Sequence, residues 1–251
     1  MGLVVHCYGQ HSEECLNKTI LYVTLTALIC SGSLLADTFV FSGSVPDGAV
    51  NAKATITPGT NSVTVVVTSL LVNPTSDGQN LSGILFTLSG SPVGLSLFSA
   101  AGNLITINNH VGTPDLVDTI DHWGTSLAGS TICLETAGTC AVGGKPHDLI
   151  MASGSYSNAN SSIEQHNPQI KDTGTFILHF TGGVNADTTI TGVQFAFGTT
   201  PTIKDGSPCT AGTVNCQAPL APVPEPSSVM LLSTTGLGIA FALRRRFSKP
   251  A

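Results

Sequence analysis

Short apolar segments separated by turn-forming residues recur through the middle of this 251-residue chain. The clearest of them is the run VTVVV at residues 63–67, because β-branched valine and threonine favour extended backbone. Farther along, Val193, Phe195 and Phe197 alternate with small or polar residues, which is the period of a strand with one buried face. Between the two ends of the chain there is no convincing helical period. The sequence therefore predicts an all-β domain, a β-sandwich with a jelly-roll-like arrangement as one form of it.

The predicted strands are bounded by turn signals such as Pro46-Asp47-Gly48 and Ser76-Asp77-Gly78. They lie at residues 38–41, 52–56, 63–72, 81–88, 93–98, 104–107, 149–152, 175–180 and 188–197. Strand patterning fades after Ile107, so residues 110–145 and 153–169 are predicted to be long irregular loops. Loops carry functional residues more often than the elements they connect.

The last 29 residues, 223–251, combine a rigid turn, an apolar run and a basic end. Pro224 and Pro226 fix φ, lack a backbone N–H and push the preceding residues into extended backbone. The following segment, 228–243, carries no charge and predicts a transmembrane helix that is short but close to spanning length. Three consecutive arginines follow: Arg244, Arg245 and Arg246. By the positive-inside rule they hold the chain end in the cytoplasm, whereas a buried core helix, the alternative, would not end in three arginines.

This order of features strongly resembles the PEP-CTERM protein-sorting signal of bacteria. The motif is Val223, Pro224, Glu225, Pro226 and Ser227, followed by the helix at 228–243 and the basic end at 244–251. The same tail domain is also catalogued as the C-terminal domain of ice-binding proteins, a label that describes the tail only. The resemblance implies that an exosortase, a membrane enzyme, cuts at the motif and passes the protein toward the cell surface or the exopolysaccharide matrix.

Export requires a signal at the other end, and residues 1–36 supply one. Lys18 precedes an apolar run at 19–30, and small residues follow it, as in a secretory signal peptide. Cleavage fits after Ser33 or after Ala36, and Ala36 is preferred. We therefore expect the Sec translocon and, transiently, the inner membrane to be partners, with an exported domain at 37–222.

The exported domain contains twelve acidic residues against four lysines, and no arginine. Nucleic acid and anionic membrane surfaces are poor partners for such a charge balance. A sparsely charged surface rich in glycine, serine, threonine and asparagine suits a carbohydrate-rich exterior instead. Exopolysaccharide is accordingly the expected contact.

The domain's four cysteines form two close pairs. They predict the local disulfides Cys133–Cys140 and Cys209–Cys216, because an exported chain enters an oxidising compartment. A four-thiolate metal site is the alternative, although zinc sites favour shorter spacings.

Two groups of residues are candidates for binding. Asp115, Asp118 and Asp121 lie three apart and are weak candidates for Ca²⁺, with a solvated face or a helix N-terminus as the alternative. His122-Trp123 offers an aromatic surface for sugar, although a single tryptophan in a β domain is more often buried. We expect no resident metal or cofactor.

Catalytic motifs are missing from the sequence, and the histidines of the domain are scattered. The sequence therefore predicts a non-enzymatic surface or matrix protein, structural or polysaccharide-contacting. A secreted carbohydrate-active hydrolase is the alternative, because its two carboxylates would meet only in three dimensions. The polar stretches 73–90 and 158–168 are similar to stretches of other bacterial PEP-CTERM surface proteins, and this similarity adds no activity.

Overall fold

The structure of the chain is a computed structural model, which describes residues 36–209 apart from positions 117 and 144. The predicted signal peptide, the sorting motif with its helix and basic end, and Cys216 all lie outside the described residues. Within the described part, no helix is long and apolar enough to cross a bilayer.

Strands dominate the described residues, which confirms the all-β prediction. The strands are β1 (Asp37–Val45), β2 (Gly48–Gly59), β3 (Ser62–Ser69), β4 (Leu81–Leu88), β5 (Ser96–Asn108), β6 (Val111–Pro114), β7 (Gly124–Ala128), β8 (Thr131–Glu135), β9 (Ile150–Met151), β10 (Gln169–His179), β11 (Ile190–Phe197), β12 (Thr202–Asp205) and β13 (Ser207–Pro208). A 3₁₀ turn (Asp77–Gln79) precedes β4, and one short helix, α1 (Ser162–Gln165), precedes β10.

Hydrogen bonds connect the described strands into one open, branched sheet. Its pairings form a first ladder, β13-β1-β2-β3-β10-β5-β6, and a second ladder, β12-β11-β4-β8-β7. The two-residue strand β9 joins the ladders, since it pairs antiparallel with β4 and parallel with β10. The ladders are thus parts of one hydrogen-bonded sheet.

Both ladders contribute to one hydrophobic core. In β3 every second side chain is buried, so Val63, Val65 and Val67 face the core while the residues between them face outward. From the second ladder, Phe86 and Phe195 are buried in the same cluster. Removal of this apolar surface from water stabilises the contact between the ladders.

The prediction that residues 110–145 form an irregular loop is wrong, because β6, β7 and β8 lie there. A tight hairpin starts this region: Asn109 and His110 both have positive φ, 49° and 64°, between β5 and β6, as a type I′ turn requires. All four residues of β6 are exposed. An exposed edge strand has no buried face and therefore shows no alternating pattern in the sequence.

Two further predictions about strands need correction. Two segments predicted as separate strands, 93–98 and 104–107, meet in the single strand β5, which contains residues 96–98 of the first and all of the second. The predicted strand at 149–152 is only the short β9, although the whole segment is buried. Its continuous apolar pattern reflects burial between the ladders rather than a long strand.

The two ends of the described chain lie at the same edge of the sheet. Strand β13 pairs with β1, with Pro208 opposite Phe39 and Ser207 opposite Val40. The first and last described residues therefore lie close together, with the Cys209 N–H donating to the Thr38 carbonyl (2.8 Å).

Candidate functional site

A buried polar network joins the two polar stretches that the sequence singles out. Ser76 caps the 3₁₀ turn and forms a capping box with Gln79, which places Asp77 in the turn and buries it. Farther along the chain, α1 carries Ser162 next to this turn, where the Ser162 hydroxyl accepts a hydrogen bond from the Asp77 N–H (3.1 Å). Segments more than eighty residues apart thus meet at Asp77.

The Asp77 carboxylate uses both oxygens. Oδ2 lies 2.6 Å from Nδ1 of His166, and Oδ1 accepts from the side-chain amides of Asn80 (3.0 Å) and Gln169 (2.9 Å). Burial raises the pKa of Asp77 above its ordinary value, while His166 and the two amides act in the opposite direction. The arrangement fixes the orientation of the His166 ring.

This aspartate–histidine pair is not coupled to the serine beside it. The Ser162 hydroxyl donates to Oδ1 of Asn160 (2.5 Å), and only the backbone carbonyl of Ser162 lies near the His166 ring nitrogen (3.1 Å). A nucleophilic serine needs its hydroxyl hydrogen-bonded to the base. The geometry instead ties the stretch at 158–168 to the turn before β4.

A second polar cluster forms around Asp148, which precedes β9. Asp148 has a positive φ of 59° and a fully buried side chain. Its Oδ2 accepts hydrogen bonds from the backbone N–H groups of Asp121 (3.2 Å) and His122 (3.3 Å). Nδ1 of His122 lies 2.8 Å from Asp121 Oδ1 and 3.4 Å from Asp148 Oδ2. Burial raises the pKa of Asp148, and the hydrogen bonds and charge of His122 and the N–H of Asp121 oppose this shift.

Trp123 lies in the core instead of on the surface. It is 2% exposed, its ring packs 4.4 Å from that of Phe176, and its Nε1–H donates to the Asp148 carbonyl (2.9 Å). The idea that His122-Trp123 offers an exposed aromatic surface for sugar is therefore wrong for Trp123. The indole N–H needs an internal acceptor once the ring is buried.

The three aspartates proposed for Ca²⁺ have different surroundings. Asp115 Oδ2 accepts from the Thr106 hydroxyl (2.9 Å), and its Oδ1 accepts from the backbone N–H of Asp118 (3.2 Å). Asp121 instead faces His122. Of these three, only Asp121 belongs to a group of three possible metal ligands among the described residues, and that group contains His122 and Asp148.

Cys133 and Cys140 form a disulfide at the end of β8. Their sulfurs are therefore not free thiolates for the alternative four-thiolate site. Cys209 is also disulfide-bonded, whereas its predicted partner lies outside the described residues. Glu135 is buried within the loop that the Cys133–Cys140 disulfide closes. Burial raises the pKa of Glu135, and the backbone N–H groups of Cys140 and Thr139 act in the opposite direction.

Sequence reasoning missed Asp77, His166 and Asp148 as members of polar clusters. The capping-box spacing Ser76 to Gln79 was a usable local signal for the first cluster. No local signal marks the second, because Asp148 is 26 residues from His122.

Comparison with known proteins adds one match. The family described as the PEP-CTERM protein-sorting motif matches residues 222–246. The chain has no significant similarity to a curated protein or to a solved structure.

Proposed function

Because the chain carries a PEP-CTERM protein-sorting motif at residues 222–246, we propose that it is exported, held briefly in the inner membrane by its tail, and sorted by an exosortase to the cell surface or matrix. The motif carries this proposal and supports exosortase processing. Prolines such as Pro224 and Pro226 favour extended, stiff backbone, and a stiff segment would suit the cleft of an enzyme that grips backbone.

The described domain is compatible with processing at both ends. Strand β1 begins at Asp37, directly after the preferred signal-peptidase site at Ala36, and Asp37 Oδ2 accepts from the Ile190 N–H (3.3 Å). Cleavage there leaves β1 whole. At the other end, β13 closes the domain before the residues that lead to the tail, so removal of the tail leaves the described sheet intact.

The shared core supports a β-sandwich interpretation of the fold. Rings from the two ladders meet, with the Phe41 centroid 6.0 Å from that of Phe197. In this proposal the first and second ladders are the two layers, and β9 is the bridge between them. A rigid domain of this kind suits a structural protein outside the cell.

The outward face of the first ladder supports a contact with polysaccharide. Threonine hydroxyls pair across strands, Thr38 with Thr55 (3.2 Å) and Thr68 with Thr173 (3.1 Å). On β5 and β10 of the same ladder, Phe98 is 65% exposed, and its ring stacks on the ring of His179, 4.1 Å away. A face with hydroxyls and an accessible aromatic ring presents groups that bind sugar rings.

The contact with polysaccharide can be tested with the host's purified exopolysaccharide. We expect Phe98→Ala to weaken cosedimentation with it, while Val111→Ala, which truncates a similarly exposed side chain, leaves cosedimentation unchanged. Equal binding by both variants and the wild type would remove this face from the proposal.

Sorting is tested by fractionating the native host with and without its exosortase. We expect the domain at the surface or in the medium in the first strain and in the inner membrane in the second. In the strain that has the exosortase, a chain with both Pro224→Ala and Pro226→Ala should stay in the inner membrane, as the wild type does in the strain without the enzyme. The matched control, Pro219→Ala, changes a proline before the motif and should be sorted normally.

The hydrolase alternative stays a prediction. A hydrolase needs two carboxylates that substrate can reach, and the second cluster contains those of Asp121 and Asp148. The Asp148 side chain has no exposed surface, so substrate could reach only Asp121. No observation on the described residues favours this alternative over a non-enzymatic role.

A further inference from the structure

Three possible metal ligands converge where the loop before β7 meets Asp148, two residues before β9. They are Asp121, His122 and Asp148, and one ligand atom from each lies within 4.8 Å of the other two. His122 Nδ1 is at the centre, 2.8 Å from Asp121 Oδ1 and 3.4 Å from Asp148 Oδ2. Bonds of about 2.0–2.1 Å in a tetrahedral site separate neighbouring ligands by roughly 3.3 Å. The two distances from His122 Nδ1 thus bracket the spacing that one ion would impose.

The Asp148 carboxylate is an independent sign that this cluster lacks a ligand. The side chain has no exposed surface, and Oδ1 is buried without a hydrogen-bond partner among the described residues. A buried carboxylate oxygen with no donor is costly, because it has lost its hydration without replacement. A bound cation would compensate the charge, and bidentate ligation by Asp148 would also engage Oδ1, because Oδ2, the oxygen nearest His122, already accepts the N–H groups of Asp121 and His122.

We propose that Asp121, His122 and Asp148 form a binding site for a divalent first-row transition metal, with Zn²⁺ as the representative ion. One nitrogen and two carboxylate oxygens suit Zn²⁺ and its neighbours. Ca²⁺ prefers six to eight oxygens and gains little from an imidazole. In the proposed site, the His122 ring offers its Nδ1 lone pair to the ion.

The exposure of the three ligands gives the site an entry path. The Asp121 side chain is 68% exposed and that of His122 is 34% exposed, whereas Asp148 forms the closed inner wall. A metal ion would therefore enter from solvent and keep water in the position opposite Asp148. His147, whose ring lies 4.7 Å from that of His122, has its Nδ1 already 2.6 Å from the Asn167 carbonyl oxygen and is not part of the proposed ligand set.

The tryptophan of the chain reports on this site directly. Trp123 follows His122, its indole N–H binds the Asp148 carbonyl, and the sequence contains no other tryptophan. Zn²⁺ is titrated into the full-length chain in mild detergent while Trp123 fluorescence is followed, and a competing chromophoric chelator gives the dissociation constant in parallel. We expect a saturable change in fluorescence with one ion per chain at the site.

Two single substitutions in the same loop test whether the ion binds at this cluster. Asp121→Asn removes an exposed ligand and should raise the dissociation constant at least about tenfold. Asp118→Asn removes the same charge from an exposed residue outside the site and should leave the constant within about twofold. Circular dichroism spectra of both variants serve as the control for folding.

Three results would overturn the proposal. The first is chelator competition that shows no tight Zn²⁺ binding. The second is binding that is the same in the wild type and in Asp121→Asn, which would place the ion elsewhere, for instance at His6 or His11. The third is Ca²⁺ binding as tight as that of Zn²⁺, which would indicate an oxygen-only site.

Discussion

Replacing Asp77 with alanine tests the network that joins the two polar stretches. Asn80 and Gln169 are fully buried, and each donates a side-chain amide hydrogen to Asp77. Without the carboxylate, Asn80 loses its amide's acceptor, and Gln169 keeps only a weak bond of 3.4 Å to the Ile163 carbonyl. A buried donor left without a partner costs about 1–3 kcal/mol.

The expected loss of stability combines these contributions. Two buried amides account for about 2–6 kcal/mol, and removal of a carboxylate whose pKa is raised by burial offsets part of this loss. Relaxation and water entry reduce the sum, so we expect Asp77→Ala to lower the free energy of unfolding by about 2–4 kcal/mol. With a urea m-value of about 2 kcal/mol/M, the midpoint falls by about 1–2 M.

The assay is urea unfolding of the full-length chain, followed by Trp123 fluorescence. The matched control is Asp187→Ala, which removes an exposed aspartate and should change stability by less than about 0.5 kcal/mol. If Asp77→Ala unfolds at the same urea concentration as Asp187→Ala, the network does not stabilise the fold and the reasoning about buried donors is refuted.

Three further predictions concern a buried acid, a disulfide and the core. Because burial raises the pKa of Glu135 in the folded chain, the folded chain binds more protons than the unfolded one just above the group's ordinary pKa, and stability falls as pH rises through that interval. The urea midpoint should therefore fall less steeply with rising pH, between about pH 5 and about pH 8, in Glu135→Gln than in the wild type. Equal slopes in the two proteins would contradict the expected direction of the effect. Replacing Cys133 and Cys140 together by serine should cost about 2–3 kcal/mol in the same assay; an unchanged midpoint would mean that the bond contributes nothing. Phe176→Ala, at a fully buried position, should cost about 3–5 kcal/mol, and a loss below about 1 kcal/mol would place Phe176 outside the tightly packed core.

The sequence predicts strands best where one face is buried. Strand β3 was predicted from its β-branched residues, and it lies between β2 and β10 with alternate side chains in the core. The exposed strand β6 was missed, since none of its residues contacts the core. Alternation of apolar and polar residues in the sequence reflects burial of one face, so an edge strand without a buried face does not show it.

The polar clusters were beyond sequence reasoning for a different reason. Asp77 and His166 are 89 residues apart, and His122 and Asp148 are 26 apart. Their contacts depend on how β9 and β10 join the ladders, which no local period encodes. The sorting motif is the opposite case, because all its parts lie in order within residues 222–246.

The most direct test of the account is the mass of the C-terminal peptide of the protein recovered from its native host. In a strain with exosortase, we predict that the mature chain ends at or near the motif 223–227 and lacks residues 228–251. In a strain without the enzyme, we predict that it ends at Ala251. An intact tail in both strains would contradict the assignment of this protein to exosortase sorting.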